Sequence, residues 1–252
     1  MVMRSRCARQ RGAGEALMAT FVLVHGAWHG AWCWRRVIRL LTARGHEVFA
    51  PTLTGVGERS HLRTPAIDLR THIADVVNLM KWERLDRAVL VGHSFGGMVA
   101  SGVAEDIGGA IGSIVFLDAF YPDSGQSLAD QAIKITRDGI EAAEQKGETV
   151  LPPRPAAAFH VNEKDRAWVD ALCVPHPIRC FSQKLTHTGA RERIANRTYI
   201  RAAGYPNEGF DAARGKAQAN GWRIYDVPCG HDVMVDVPDA LVNILEEVAP
   251  AR

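Results

Sequence analysis

The run "VLVGHSFGGMVA", residues 89 to 100, frames a serine with glycines, Gly92-His93-Ser94-Phe95-Gly96, between an apolar stretch and a helical pattern. Glycines two residues either side of a serine let strand and helix close on one another, so the hydroxyl can be exposed at the helix start from a strained turn. That is the placement of a nucleophile. A serine hydroxyl stays weakly reactive until a base takes its proton. "VPCGHDVMVDVPDAL", residues 227 to 241, offers His231 for this, in a short loop between the last strand and the last helix. His25, Gly26 and Ala27 follow the first strand, where the Ala27 N–H can join that of Phe95 in holding a developing oxyanion. Trp28 is placed to line the pocket beside them. His25 and His93 flank tight turns and read as structural, while His46, His61, His72, His160, His176 and His187 read mostly as surface or cap positions. The i, i+4 pair His25 and His29 lacks a third ligand, so no metal is expected.

The elements that must hold these groups are legible from Ala19 onward. Short runs rich in Val and Ile alternate with longer segments of helical period, the pattern of a parallel sheet wrapped by helices, hence an α/β fold. Strands are expected at 20–25, 46–50, 88–92, 113–117, 198–202 and 222–227, and helices at about 30–44, 67–83, 95–107, 209–219 and 238–248. About 80 residues separate Leu117 from Thr198, far more than a crossover needs. Because "SLADQAIKI", "EKDRAWVDALC" and "PIRCFSQKL" have helical spacing, residues 123–190 are expected to form a small helical cap inserted in a core of 19–122 and 191–252. Residues 1–18 read as a disordered N-terminal extension, with four arginines but no apolar secretory core, and Met18 opens the more protein-like sequence.

Thirty basic against 28 acidic side chains in 252 residues leave a formal charge of +2, no surplus suited to a nucleic-acid backbone. A small-molecule partner is expected, without nucleic acid, and a homodimer is left open. No apolar run reaches the ~18–20 residues needed to span a bilayer. Five scattered cysteines without a CxxC pair argue against a disulfide framework or a zinc site and fit a reducing cytoplasm.

Gly92 to Gly96, the His25-Gly26-Ala27 loop, "HGAWCW" and the Gly230-His231 loop together resemble the α/β-hydrolase superfamily over roughly residues 19 to 250. "HGAWHGAWCW" is similar to the branch containing plant methyl esterases and hydroxynitrile lyases, and "PTLTGVGERSHL" and "FLDAFYPDSGQS" to its bacterial esterase-like members. The resemblance implies a mainly parallel six-stranded sheet with a helical cap, a serine hydrolase and no cofactor. The lyases of that branch handle cyanohydrins with a threonine on the first loop and a lysine after the histidine. Gly26 and Asp232 stand there, which argues for ester hydrolysis.

The resemblance also implies a carboxylate that orients the histidine, usually just after the strand preceding the histidine's own. That strand ends in "AGYPNEGFD", where Tyr205 occupies the expected position and Glu208 and Asp211 are the first acids. Asp118 closes the apolar run "SIVFL" one strand nearer Ser94, and an ionisable group there is costly without a partner. Asp118 is therefore preferred, with Asp211 and Glu208 as alternatives. Asp226, Asp232 and Asp236 lie too near His231 along the chain and are expected to face solvent or cap the helix. The expected activity is cleavage of a small hydrophobic or aromatic carboxylic ester, with Trp28, Phe120, Tyr121 and Trp168 near the substrate. A lyase, a carbon–carbon hydrolase, a cofactor-free oxygenase or a non-catalytic ligand receptor remains open on the same scaffold.

Overall fold

Six short apolar segments pair into one sheet because helices cover both of its faces, which is why the central strands read as unbroken hydrophobic runs rather than alternating ones. In the computed structural model, which describes residues 18–250, the elements are β1 (Thr20–Val24), α1 (Arg35–Ala43), β2 (Glu47–Phe49), α2 (Leu69–Trp82), β3 (Ala88–His93), α3 (Gly96–Ile107), β4 (Ile111–Leu117), α4 (Leu128–Gln131), α5 (Lys134–Gln145), β5 (Val150–Leu151), α6 (Glu163–Leu172), β6 (His176–Pro177), α7 (Arg179–Ser182), β7 (Asn196–Ala202), α8 (Glu208–Ala219), β8 (Arg223–Val227), α9 (Val233–Asp236) and α10 (Pro238–Glu247). The sheet order is β2-β1-β3-β4-β7-β8 and every neighbouring pair is parallel. All six expected strands and five expected helices form, with ends shifted by a few residues. Of the extension expected over residues 1–18, residues 1–17 lie outside the described residues.

The topology decides where chemistry can sit. From the middle of the sheet the chain runs outward from β1 to β2 and returns to β3 on the other side, so a crevice opens beyond the C-terminal ends of β1 and β3. Register then aligns the exits: His93 pairs with Leu117, and Leu117 with Ile200. Ser94 and Asp118 are thus the first residues past the ends of adjacent strands. The Ser94 N–H donates to the Leu117 carbonyl at 3.1 Å and the Asp118 N–H to the Ile200 carbonyl at 2.7 Å.

Between β4 and β7 the chain forms the short helices α4 to α7 and an antiparallel pair, Val150 opposite Pro177 and Leu151 opposite His176. The sequence reading had not separated α5 or the β5–β6 pair. Asp165 in α6 ties this segment to the body: it accepts two hydrogen bonds at 2.7 Å from Arg36 of α1, whose Nη1 also donates to the Val235 carbonyl at 2.6 Å. Among the described residues no helix is long and apolar enough to cross a membrane.

Candidate active site

Ser94 has φ 53°, in the left-handed region, between the last residue of β3 and α3. A non-glycine residue is held there only when its surroundings leave no alternative. The flanking glycines supply that constraint. A Cβ on Gly96 would sit 2.8 Å from the Val24 carbonyl oxygen, and one on Gly92 would collide with the carbonyl of Gly96. Only glycine lets β1, β3 and α3 meet this closely. Ser94 is left 9% exposed, on the wall of a cavity of about 440 Å³, counting its opening to solvent.

His231 lines the same cavity. Its Nδ1 lies 2.6 Å from Asp118 Oδ2, and because a carboxylate only accepts, Nδ1 carries a hydrogen. Asp118 is fully buried at φ 42°, and its Oδ1 accepts from Arg201 Nη1 at 2.8 Å and from the Ala202 N–H at 3.1 Å. Asp211, one of the alternative acids, bonds the far side of the same guanidinium, Arg201 Nε to Oδ1 at 2.8 Å. Burial opposes the charge on Arg201, yet Asp118 and Asp211 together raise its pKa. Glu208 opens α8 at the exposed surface. Of the three acids, Asp118 is the one bonded to the imidazole. Tyr205 does not replace it: its ring packs 5.0 Å from that of His231, while Phe210 stacks on the imidazole at 5.1 Å and 13°.

Histidines pin the loop after β1. His25 donates from Nδ1 to the Gly26 carbonyl at 2.8 Å and accepts the Leu53 N–H at Nε2, 3.1 Å, so it is neutral; burial pulls its pKa down to about 3. His176 Nδ1 accepts the Trp28 N–H at 3.2 Å, and Trp28, itself at φ 65°, donates from Nε1 to the Leu151 carbonyl at 3.0 Å. The N–H groups of Ala27 and Phe95 take no part in the hydrogen bonds of the described residues. A Cβ on Gly26 would stand 2.9 Å from His93 Nδ1 and 3.0 Å from Ser94 Cβ, so the loop has no room for a threonine there.

Several expectations need correction. His46 and His72, read as surface or cap positions, are buried, and His176, within residues 123–190, is buried as well. His72, His176 and Cys180 bring their polar atoms within 4.8 Å of one another. With Nδ1 accepting from Trp28, however, the His176 proton is on Nε2, the atom that would have to ligate a metal. Asp232, expected to face solvent or cap the helix, is fully buried and bonds His29 Nε2 at 3.0 Å, because the turn after His231 points it back under the first loop. Trp28 and Phe120 line the cavity, but Tyr121 and Trp168 are not among its lining residues. Tyr121 packs against Phe116 and Trp222, with Arg191 4.0 Å over its ring and its hydroxyl bonded to Glu192; burial first, and that carboxylate second, push its pKa up to about 12. Trp168 meets Trp32 edge to face at 5.2 Å and supports Arg36 at 5.4 Å, holding α6 on the body. Phe159 lines the cavity, as do Tyr205, Phe210 and Arg154, which had not been named as substrate contacts.

A family model described as "Alpha/beta hydrolase family" matches residues 21–244. Over 238 residues the chain is 42% identical to a carbendazim hydrolyzing esterase from Nocardioides sp. (strain SG-4G), spanning 90% of this chain and 98% of that protein. It is 38% identical to methylesterase 1 of Arabidopsis thaliana over 118 residues, 42% of this chain and 41% of that protein. Among solved structures, an extracellular alpha/beta-hydrolase from a Paenibacillus species superposes with TM-score 0.78 at 22% identity, covering 92% of this chain and all of the other. An Arabidopsis methylesterase gives 0.72 at 24%, covering 91% and 98%.

Proposed function

Because the chain belongs to the alpha/beta hydrolase family, we propose that it works as a serine esterase in which Ser94 is the nucleophile, His231 the general base and Asp118 the acid that orients it. The single observation that carries this reading is the Asp118–His231 bond of 2.6 Å in the cavity that Ser94 lines. Ser94 Oγ attacks the ester carbonyl carbon while its proton passes to His231 Nε2. The carbonyl oxygen becomes an oxyanion facing the N–H groups of Ala27 and Phe95, which are free to receive it. Collapse breaks the ester C–O bond, the alcohol leaves with the proton from His231, and the acyl group stays on Ser94. Water, deprotonated by the same nitrogen, then releases the acid. Arg201 and the Ala202 N–H hold the Asp118 carboxylate aimed at Nδ1.

Residues 123–190 act in this reading as a cap, since Leu128, Thr136, Ile140, Leu151, Arg154 and Phe181 bring its side chains into the cavity wall. With Trp28, Phe120, Phe159 and Phe210 the wall is aromatic, which favours a small hydrophobic or aromatic ester. Arg154, its guanidinium 5.2 Å over the Phe159 ring, is placed to receive a carbonyl or anionic substituent. The similarity to a carbendazim hydrolyzing esterase supports including carbendazim among the substrates tried. A lyase reading has less support: Gly26 has no space for a threonine and Asp232 is committed to His29.

Turnover of p-nitrophenyl butyrate in ¹⁸O-water is expected to place one heavy oxygen in the butyrate and none in the nitrophenol. Heavy oxygen in the phenol, or no cleavage of any aromatic or short-chain ester in a panel, would overturn the reading.

A further inference from the structure

His29 lies behind the site, and both of its ring nitrogens face groups that only accept. Nδ1 is 2.7 Å from the Ala27 carbonyl oxygen and Nε2 is 3.0 Å from Asp232 Oδ2. A neutral imidazole has one N–H and can satisfy one of them, whereas the doubly protonated ring satisfies both. The other histidines of the site are arranged differently. His25 and His176 each accept a backbone N–H, and His93 donates from Nε2 to the His231 carbonyl at 3.0 Å while its Nδ1 is unpartnered. His29 is 3% exposed and Asp232 is fully buried, so an unpaired charge on either would be expensive.

The pair also joins two parts of the machinery. Through Ala27 it holds the loop whose N–H faces the oxyanion, and through Asp232 it holds the residue next to His231. We propose that His29 is an imidazolium at neutral pH, paired with Asp232, that positions the oxyanion loop against the His231 loop, and that loss of its proton sets the alkaline limit of activity. This rests on the esterase reading above for the role of Ala27, but not for the charge of His29.

The surroundings agree on the direction. Burial works against the charge on His29, yet the Asp232 carboxylate and the Ala27 carbonyl together raise its pKa. Burial likewise opposes the Asp232 charge, and His29 lowers that carboxyl's pKa well below the ordinary range. The other titratable groups facing the pair are His25 from the end of β1, His93 from β3, His176 from β6, His231 itself, Cys33, Cys173 after α6 and Cys229 after β8. Burial holds His25, His93 and His176 neutral and raises all three thiols, and the pairing in this group is between His29 and Asp232. Trp32 stacks on the His29 ring at 5.1 Å and 19°, a favourable seat for a cation. The pair's contribution is complete between the unfolded carboxyl value of 3.8 and the unfolded imidazole value of 6.5, and is lost as pH rises through the raised value of His29.

The test has a spectroscopic and a kinetic arm. In a long-range ¹H–¹⁵N spectrum of the whole protein, with His29→Gln providing the assignment, both His29 nitrogens are expected to be protonated at pH 7.5. They should lose one proton with the same midpoint at which kcat for a p-nitrophenyl ester falls. His29→Gln and Asp232→Asn are each expected to lower kcat at pH 7.5 by about 10-fold or more, the scale of a charge-assisted hydrogen bond, with KM within about twofold. Both should erase the alkaline fall. A neutral His29 at pH 7.5, or an unchanged alkaline limb in both variants, would overturn the proposal. The wild-type spectrum decides the charge even where a variant folds poorly, and it does so whether or not Ser94 proves to be the nucleophile.

Discussion

Replacing Ser94 by alanine is expected to lower kcat for a p-nitrophenyl acyl ester by about 10⁴- to 10⁶-fold, the range for loss of a serine nucleophile. The fold should survive. The position has φ 53° for either side chain, and the glycines that permit the turn are untouched. A thermal midpoint within a few degrees of wild type, measured beside the residual rate, separates loss of chemistry from loss of structure. Substrate binding should persist as well, because the aromatic wall of the cavity remains. Activity within tenfold of wild type would remove Ser94 from the mechanism.

The second large effect discriminates among the acids. Asp118→Asn is expected to cost kcat roughly 10⁴-fold, the scale for a triad acid, because the amide no longer fixes the imidazole tautomer or stabilises the imidazolium. Asp211→Asn should cost tenfold or less. Asp211 meets Arg201 rather than His231, and its side chain is 63% exposed, so solvent screens what its charge contributes. Asp118→Asn also leaves the buried Arg201 with a single carboxylate. Its thermal midpoint should therefore fall measurably, and the kinetic comparison belongs at a temperature where both variants are folded. If Asp211→Asn alone lost several orders of magnitude, Asp118 would be a structural partner of Arg201 and Asp211 the orienting acid.

How much of this could be read from the chain follows from where the information lies. Strands buried on both faces announce themselves as apolar runs such as "FVLV" and "AVLV", so the sheet was legible. Ser94 was legible because its turn needs glycines at fixed offsets, and Asp118 because an acid ending "SIVFL" demands a partner. The partner is the missing half of that inference. Arg201, in a strand otherwise reading "TYI", was the same kind of signal and had not been paired with Asp118. The His29–Asp232 pair spans 203 residues and carries no local pattern; closeness in sequence to His231 suggested that Asp232 would face solvent, whereas the turn after His231 reverses it into the core. Tyr121 and Trp168 failed for another reason. An aromatic near a site announces burial but not which side of the backbone it takes, and both pack away from the cavity.

Residues 123–190 show the limit for short elements. The reading took "SLADQAIKI" as one helical stretch, while α4 ends at Gln131 and α5 begins at Lys134, the chain between them turning extended at Ala132 and Ile133. The β5–β6 pair has two residues a strand, too few for any periodicity to appear. This segment still supplies much of the cavity wall, so substrate choice was the least legible property of the chain.

The serine mechanism is tested most directly by treating the protein with an alkyl fluorophosphonate and mapping the adduct by peptide mass spectrometry while following residual esterase activity. The expected result is one phosphonyl group per chain on the peptide containing Ser94, formed in step with the loss of activity and far more slowly in Asp118→Asn. Full loss of activity with the adduct on another residue, or an active enzyme that carries the adduct on Ser94, would contradict it.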